Sequence, residues 1–438
     1  MPGGAGAVVA GEGAMTRGRA VTGVALIVLL ASLGTVRLGQ GPPAVRTSTV
    51  GSAPLALAVD GQTQRVFVAN FASATVSMLD AGSGAVLATT AVISYPDTLA
   101  IATKPGRVFV ASGVAPLNPD RVDVLDARSG RLLRSVAVGR GTHAVAVDEH
   151  RGHVFVANAL DNSVSMVDAR SDAVLRTIAV GPSPLAVTVD EHVGHAFVLN
   201  AGPSYNGYSS GYSTVDLLDT RSGAVLHTVS VGIGASALAV DARSGYAFVA
   251  NSGDATVSML DARTGTVVHT IAVGLHPDAL AVDARSGHVF VANAYDGSVS
   301  MVEARSGRVL RTLAVALNPW SIAVDQRADR VLVSTGEELW PSATPGRVQV
   351  LDGRTGRRLR TVAVGLGPAA LTVDERSGHV FVANSYGPPA SPGSMSRLVA
   401  WSRQRLPAWG QQWLARLALP AHPSQGMAGS VSMLDVTR

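Results

Sequence analysis

The sequence has no cysteine, and its only lysine is Lys104. The first absence excludes disulfides, thiol nucleophiles and thiolate metal sites. The second leaves the positive charge almost wholly to arginine, which in an Ala/Gly/Val-rich chain reads as the composition of a GC-rich coding sequence. The arginines are dispersed over turn-like segments with no basic run, so a surface built for nucleic acid is disfavoured. Aromatic residues are scarce, at 5%. Long apolar runs are scarcer: one stretch, Val21 to Val36, approaches membrane-spanning length. Elsewhere apolar residues come in runs of about five, the size of strands. A helical membrane bundle is therefore excluded, although the hydrophobic share is 47% and the mean hydropathy +0.27. No phosphate-binding glycine loop, nucleophile elbow or haem motif is present.

The one long apolar run supplies a compartment. Arg17 and Arg19 precede the apolar stretch Val24 to Leu33, the order of an export signal, and a start at Met15 would proportion it better. No A-x-A cleavage site follows, so secretion and anchoring by an uncleaved signal are both expected outcomes, the latter with membrane contact through the anchor. Residues 1–42 are read as signal or anchor and linker, and residues 43–438 as one extracytoplasmic domain.

Internal repetition sets the fold of that domain. The segment Leu280 to Asn293 (Leu-Ala-Val-Asp-Ala-Arg-Ser-Gly-His-Val-Phe-Val-Ala-Asn) is followed by Gly297 to Val302 and then Val309 to Val315. The same phrases occur eight times, with an aromatic marker at Phe67, Phe109, Phe155, Phe197, Phe248, Phe290 and Phe381, and Leu332 in its place in the seventh unit. Each unit reads as four short strands separated by turns, the pattern of a propeller blade. The middle strands are apolar on both faces, as strands packed between two neighbouring blades must be. The eighth unit stops at Val431 to Asp435 without an outer strand, and the missing phrase stands at the other end as Val45 to Gly51. The expected fold is all-β: a single β-propeller of eight four-stranded blades, its ring closed by the N-terminal strand completing the last blade.

Val-Phe-Val-Ala-Asn followed by Ser-Val-Ser-Met-Leu-Asp and Thr-Ile-Ala-Val-Gly resembles the YVTN-type β-propeller repeat of YncE-like and surface-layer-associated proteins. The resemblance covers about residues 45 to 438. It implies an exported propeller, and seven blades as the alternative count because typical members have seven. It implies no single activity. Units 2 and 7 depart from the phrase, with Ser112 and Thr335 where the others have asparagine.

Lettering the strands a to d from the axis outward puts the uniform a–b and c–d turns on one face and every irregular b–c and d–a loop on the other. The aromatic residues sort with the irregular loops: Trp320, Trp340, Trp401, Trp409, Trp413, and Tyr95, Tyr205, Tyr208, Tyr212, Tyr295 and Tyr386; only Tyr246 falls opposite. Aromatic loops on a rigid scaffold suit recognition, so Tyr95, Tyr205, Tyr208, Tyr212, Tyr295, Trp320, Trp340, Tyr386, Trp409 and Trp413 are the ligand-binding candidates. In the last insertion Leu406, Trp409, Trp413 and Leu417 recur at helical spacing, which predicts an inserted helical segment at 394–428: a lid, a docking helix, packed structure or an interfacial helix. Catalytic candidates are His143, His276, Asp97 and Asp278, near the start of strand a where they could approach the channel. His150, His153, His192 and His195 are read as solvated turn residues. Asn70, Asn158, Asn200, Asn251, Asn293 and Asn384 are expected to bond loop backbone.

The leading expectation is a non-enzymatic binding or scaffold module recognising a saccharide, cell-wall polymer or protein partner, without cofactor or metal. A lactonase- or lyase-like enzyme at the channel mouth and a structural cell-surface protein are the alternatives. DNA binding ranks last because the charge is dispersed, and the oligomeric state is left open.

Overall fold

The structure is a computed structural model that describes residues 45–112, 120–202, 212–316, 318–336, 345–385 and 428–435, together with the backbone of 204–205, 208–209 and 386. Residues 1–42, and 394–427 of the expected helical segment, lie outside the described residues. Among those described there is no helix.

Each repeat folds into one antiparallel four-stranded sheet, and there are eight such sheets. Blade 6 is typical: strands Pro277–Asp283, His288–Asn293, Ser298–Glu303 and Val309–Ala314 follow one another from the inside out. The inner strands form a ring. Pro54–Asp60, Thr98–Ala102, Thr142–Asp148, Pro184–Asp190, Ala235–Asp241, Pro277–Asp283, Pro319–Asp325 and Leu366–Asp374 each touch the next, and the last touches the first. The chain is a β-propeller of eight blades, and the alternative count of seven is excluded. The ring closes as the repeats require: Val45–Thr49 pairs antiparallel with Ser430–Asp435, from Val45 opposite Leu434 to Thr49 opposite Ser430.

Burial follows the radial order. Strand a is half-exposed along its length because it lines the central opening, strand b is sealed, and strand d is open to solvent on the perimeter. The core lies between blades. Phe248, Val257, Met259 and Ile271 of blade 5 pack on Val289, Val291, Val302 and Ala304 of blade 6, and equivalent layers repeat round the ring. The marker phenylalanines are 0% exposed. At about 25 cal/mol per Å² of apolar area, each contributes roughly 2–3 kcal/mol.

The repeated polar residues tie strands and blades together. The asparagine ending strand b bonds chiefly hydroxyls of strand c in its own blade; of the expected backbone contacts, Asn251 Oδ1 accepts from the Gly232 N–H at 3.2 Å and Asn384 Nδ2 donates to the Ser430 carbonyl at 3.3 Å. Asn251 Nδ2 donates to Thr256 Oγ1 and Ser258 Oγ, both at 3.0 Å, and Asn293 donates to Ser298 and Ser300 in the same way. The strand-b histidines are not solvated turn residues. His153 Nδ1 donates to the Thr220 carbonyl at 2.8 Å and His195 Nδ1 to that of Ala262 at 2.9 Å, each in the c–d turn of the next blade. His150 and His192 are exposed, as the sequence reading has them. The turn arginines form a second circumferential series. Arg243 reaches the Ala284 and Arg285 carbonyls, Arg285 those of Gln326 and Arg327, Arg327 those of Glu375 and Arg376, and Arg376 that of Gly61. Composition alone therefore does not account for arginine at these turns: its long forked donor spans the gap to the next blade.

Candidate functional site

On the irregular face one structural position recurs at the mouth of the central opening. Strand a of blade 6 pairs Pro277 with Asn293 and then Ala279 with Ala292, leaving Asp278 as an extra, bulged residue. The same register shift leaves Leu55, His143, Leu185, Ser236, Trp320 and Ala369 in their blades. In blade 2 the corresponding residue is Asp97, whose N–H bonds the Ala111 carbonyl. A bulge takes a side chain out of the ladder and re-aims it, which is how one position comes to ring the mouth. Asp97, His143, Asp278 and Trp320 are thus equivalent residues of different blades. His276 stands two residues before the bulge, so it is not the counterpart of His143. The signal was present in the sequence: all eight residues stand twelve places before the marker of their unit.

The structure gathers the candidates into two clusters three blades apart round the ring. At the seam of blades 2 and 3, buried Asp120 accepts hydrogen bonds through Oδ2 from the N–H groups of Gly141 (2.5 Å) and Thr142 (3.0 Å). Asp120 was not singled out from the sequence, because it ends a loop rather than a repeated phrase. Asp97 lies close by. Its Oδ1 is sealed with no hydrogen-bond partner among the described residues, as is Oγ1 of Thr142. Burial pushes the Asp97 carboxyl well above the usual carboxylate range, and the charge of Asp120 adds to the rise. Burial holds His143 below the usual histidine value, favouring the uncharged ring.

At the seam of blades 5 and 6, His276 Nδ1 lies 2.9 Å from Asp278 Oδ2. Ser252 Oγ lies 3.0 Å from Asp278 Oδ1 and 2.9 Å from the Pro277 carbonyl, its one hydrogen shared between the two acceptors. Ser236 Oγ donates to the same carbonyl at 2.8 Å, so two serines of blade 5 hold the loop of blade 6 in place. The His276 ring stacks on Tyr295, centroids 4.1 Å apart and planes 20° off parallel. Tyr295 is 68% exposed and Tyr212, on blade 4, 67%. Leu275, Ile233 and Ile93 are exposed on the same loops.

Of the remaining binding candidates, Tyr95 packs on Phe71 at 5.5 Å, and burial raises its hydroxyl pKa. Trp320 is half-buried. Tyr205, Tyr208 and Tyr386 are placed by backbone alone, and Trp340, Trp401, Trp409 and Trp413 lie outside the described residues. No group of three potential metal ligands occurs among the described residues.

Eight such blades, a lined mouth and irregular loops on one face define the class: a β-propeller whose loops are the variable part. The family model described as YNCE-like beta-propeller matches residues 220–386, from the c–d turn of blade 4 to strand b of blade 8. The matched stretch is similar to that family, and the fold of the chain is a β-propeller. Among solved structures, Kuenenia stuttgartiensis hydrazine synthase is similar with a TM-score of 0.53 and 16% identity, over 80% of this chain and 96% of that one. A likeness at that identity is one of fold alone. No curated protein matches the chain in sequence.

Proposed function

We propose that this chain is an extracytoplasmic binding or scaffold propeller that recognises a saccharide, cell-wall polymer or protein partner on its b–c/d–a loop face. The observation that carries the reading is the exposure of large amphipathic side chains there. Tyr212 and Tyr295 are each about two-thirds exposed, and Ile233 and Leu275, between them in chain order, are exposed on the same face. Ile233 is the cross-strand partner of Tyr212. Rigid aromatic side chains left open on a scaffold fixed by eight sheets supply contact area at low entropic cost. The opposite face, by contrast, carries the uniform turns whose arginines reach the backbone of the next blade. The export-signal pattern at Arg17 to Leu33 supports the extracytoplasmic part.

The test is thermal unfolding of residues 43–438 against neutral and charged oligosaccharides, cell-wall fragments and lactones. A ligand at a hundred times its dissociation constant adds about 2.7 kcal/mol of stability. A shift abolished by Tyr212→Ala and Tyr295→Ala supports the reading, and a shift indifferent to both removes this face from it.

The rival reading, a lactonase- or lyase-like enzyme, is favoured by one observation, the contact of His276 with Asp278. It expects turnover of a panel lactone that His276→Ala abolishes while the melting temperature stays put.

A further inference from the structure

The cluster at the seam of blades 5 and 6 is chemically more specific than an aromatic platform. A carboxylate can only accept, so the contact of 2.9 Å between Asp278 Oδ2 and His276 Nδ1 places the hydrogen on Nδ1. Ser252 holds the other carboxylate oxygen at 3.0 Å, which fixes the carboxylate, and the carboxylate in turn fixes the ring. In the uncharged ring Nε2 is then a bare acceptor, and no described residue donates to it. The His276 side chain is 20% exposed, which leaves the ring open to a partner from outside the protein. The surroundings set the shape of that partner. The open ring of Tyr295 is stacked on the imidazole, and Leu275, the residue before His276, leaves its side chain exposed.

We propose that this seam binds an N-acetylated sugar, its acetamido N–H donating to His276 Nε2, its ring lying on Tyr295 and its acetyl methyl against Leu275. The proposal rests on reading the face as a saccharide-binding one and adds the substituent that it selects. An amide N–H donates and cannot accept, so it matches an acceptor held in one tautomer, whereas a sugar hydroxyl would serve either tautomer equally. The apolar face of a pyranose and a methyl group suit an aromatic ring with a leucine beside it. Asp278 is a positioning residue here, because it acts on the ligand only through the tautomer of His276.

The experiment compares tetra-N-acetylchitotetraose with cellotetraose, which share a β-1,4 backbone and differ in the acetamido group. Affinities are measured for residues 43–438 in wild-type form, with Asp278→Asn and with Tyr295→Ala, and imidazole ¹⁵N resonances are followed during each titration. The expected result is binding of the acetylated tetramer at least tenfold tighter, with the Nε2 resonance moving on addition. In Asp278→Asn the asparagine amide donates to Nδ1 and drives the hydrogen to Nε2. The ¹⁵N spectrum should then report the other tautomer, and the acetylated sugar should lose its tenfold advantage. Tyr295→Ala, at an exposed site with little bearing on folding, should weaken both sugars. Equal binding of the two tetramers with Nε2 unmoved overturns the proposal while leaving the face a saccharide site. Binding of neither overturns the saccharide reading itself and this assignment with it.

Discussion

A single carboxyl, Asp97, carries a consequence for stability that can be read with its sign. Its folded-state pKa is raised, chiefly by burial and further by Asp120. The folded chain therefore keeps a proton that the unfolded chain releases near pH 3.9. Stability contributed by the protonated form is complete below that value and is lost as pH rises through the folded pKa. Asp97→Asn removes the ionisation but keeps the shape. Because the side chain is only half-buried by area, the gain is set at the low end for a buried unsatisfied group, about 1 kcal/mol above the folded pKa. In a domain of this size that is about 1–2 °C in melting temperature. Scans at pH 8 and pH 4 are the check: the variant should be the more stable at pH 8 and equal to wild type at pH 4. A variant less stable at pH 8 would mean that the ionised carboxylate is held favourably and the burial argument fails.

At the scale of the element, the repeat couples two positions far apart in sequence. The glycine that closes strand d lies against the asparagine that ends strand b of the next blade. A Cβ on Gly139, Gly181, Gly232, Gly274 or Gly365 would come within 2.8 Å of the asparagine side chain there. In the two blades without that asparagine the glycine is gone too: Ile93 faces the blade of Ser112, and Ala316 the blade of Thr335. In blade 2 the longer Asp123 of strand c takes over, accepting from the Ile93 N–H at 2.8 Å. Gly232→Ala alone should destabilise by about 1–3 kcal/mol through overpacking. Asn251→Ser alone should cost about 1–2 kcal/mol for its lost hydrogen bonds. The double variant should fall short of the sum by about 1 kcal/mol or more, measured as a coupling energy by denaturant unfolding; strict additivity would show that the two positions do not meet. The pairing also marks where legibility in the sequence stopped. Strand number, blade count and ring closure were readable because the phrase repeats. The hydroxyl partners of Asn251 and the partners of the strand-b histidines were not legible because they lie across strands or blades, where local turn chemistry gives no guide. The mouth position was readable by counting back from each phenylalanine. The clusters were not, since Asp120 ends a loop that occurs once and Ser252 acts across to the next blade, as Ser385 does toward Pro54.

For the whole molecule the question is what keeps the ring shut. The two ends of the chain meet inside blade 8, where Val45–Thr49 pairs with Ser430–Asp435 as its outer strand. Val50 N–H to the Gly429 carbonyl (3.1 Å) and Gly429 N–H to the Gly51 carbonyl (3.0 Å) extend the ladder. Arg376 to Gly61 at 2.8 Å and His379 to Ala81 at 2.9 Å run from blade 8 to blade 1 on the regular face. Two mechanisms could therefore hold the ring, a strand ladder or side-chain clamps, and their expected strengths differ. A five-residue ladder protects an edge and buries apolar contacts, whereas an exposed arginine–carbonyl bond contributes no more than about 1 kcal/mol. Residues 52–438, which lack the N-terminal strand, should melt several degrees below residues 43–438 and elute as higher oligomers in light-scattering chromatography. The newly bare strand Ser430–Asp435, rich in β-forming residues, would be free to pair between molecules. Arg376→Ala in the longer chain should shift the melting temperature by about 1–2 °C at most and leave the elution unchanged. If instead the truncated chain stays monomeric and as stable as the longer one, the ring is held by packing between blades 8 and 1, and the N-terminal strand is an ornament of the perimeter.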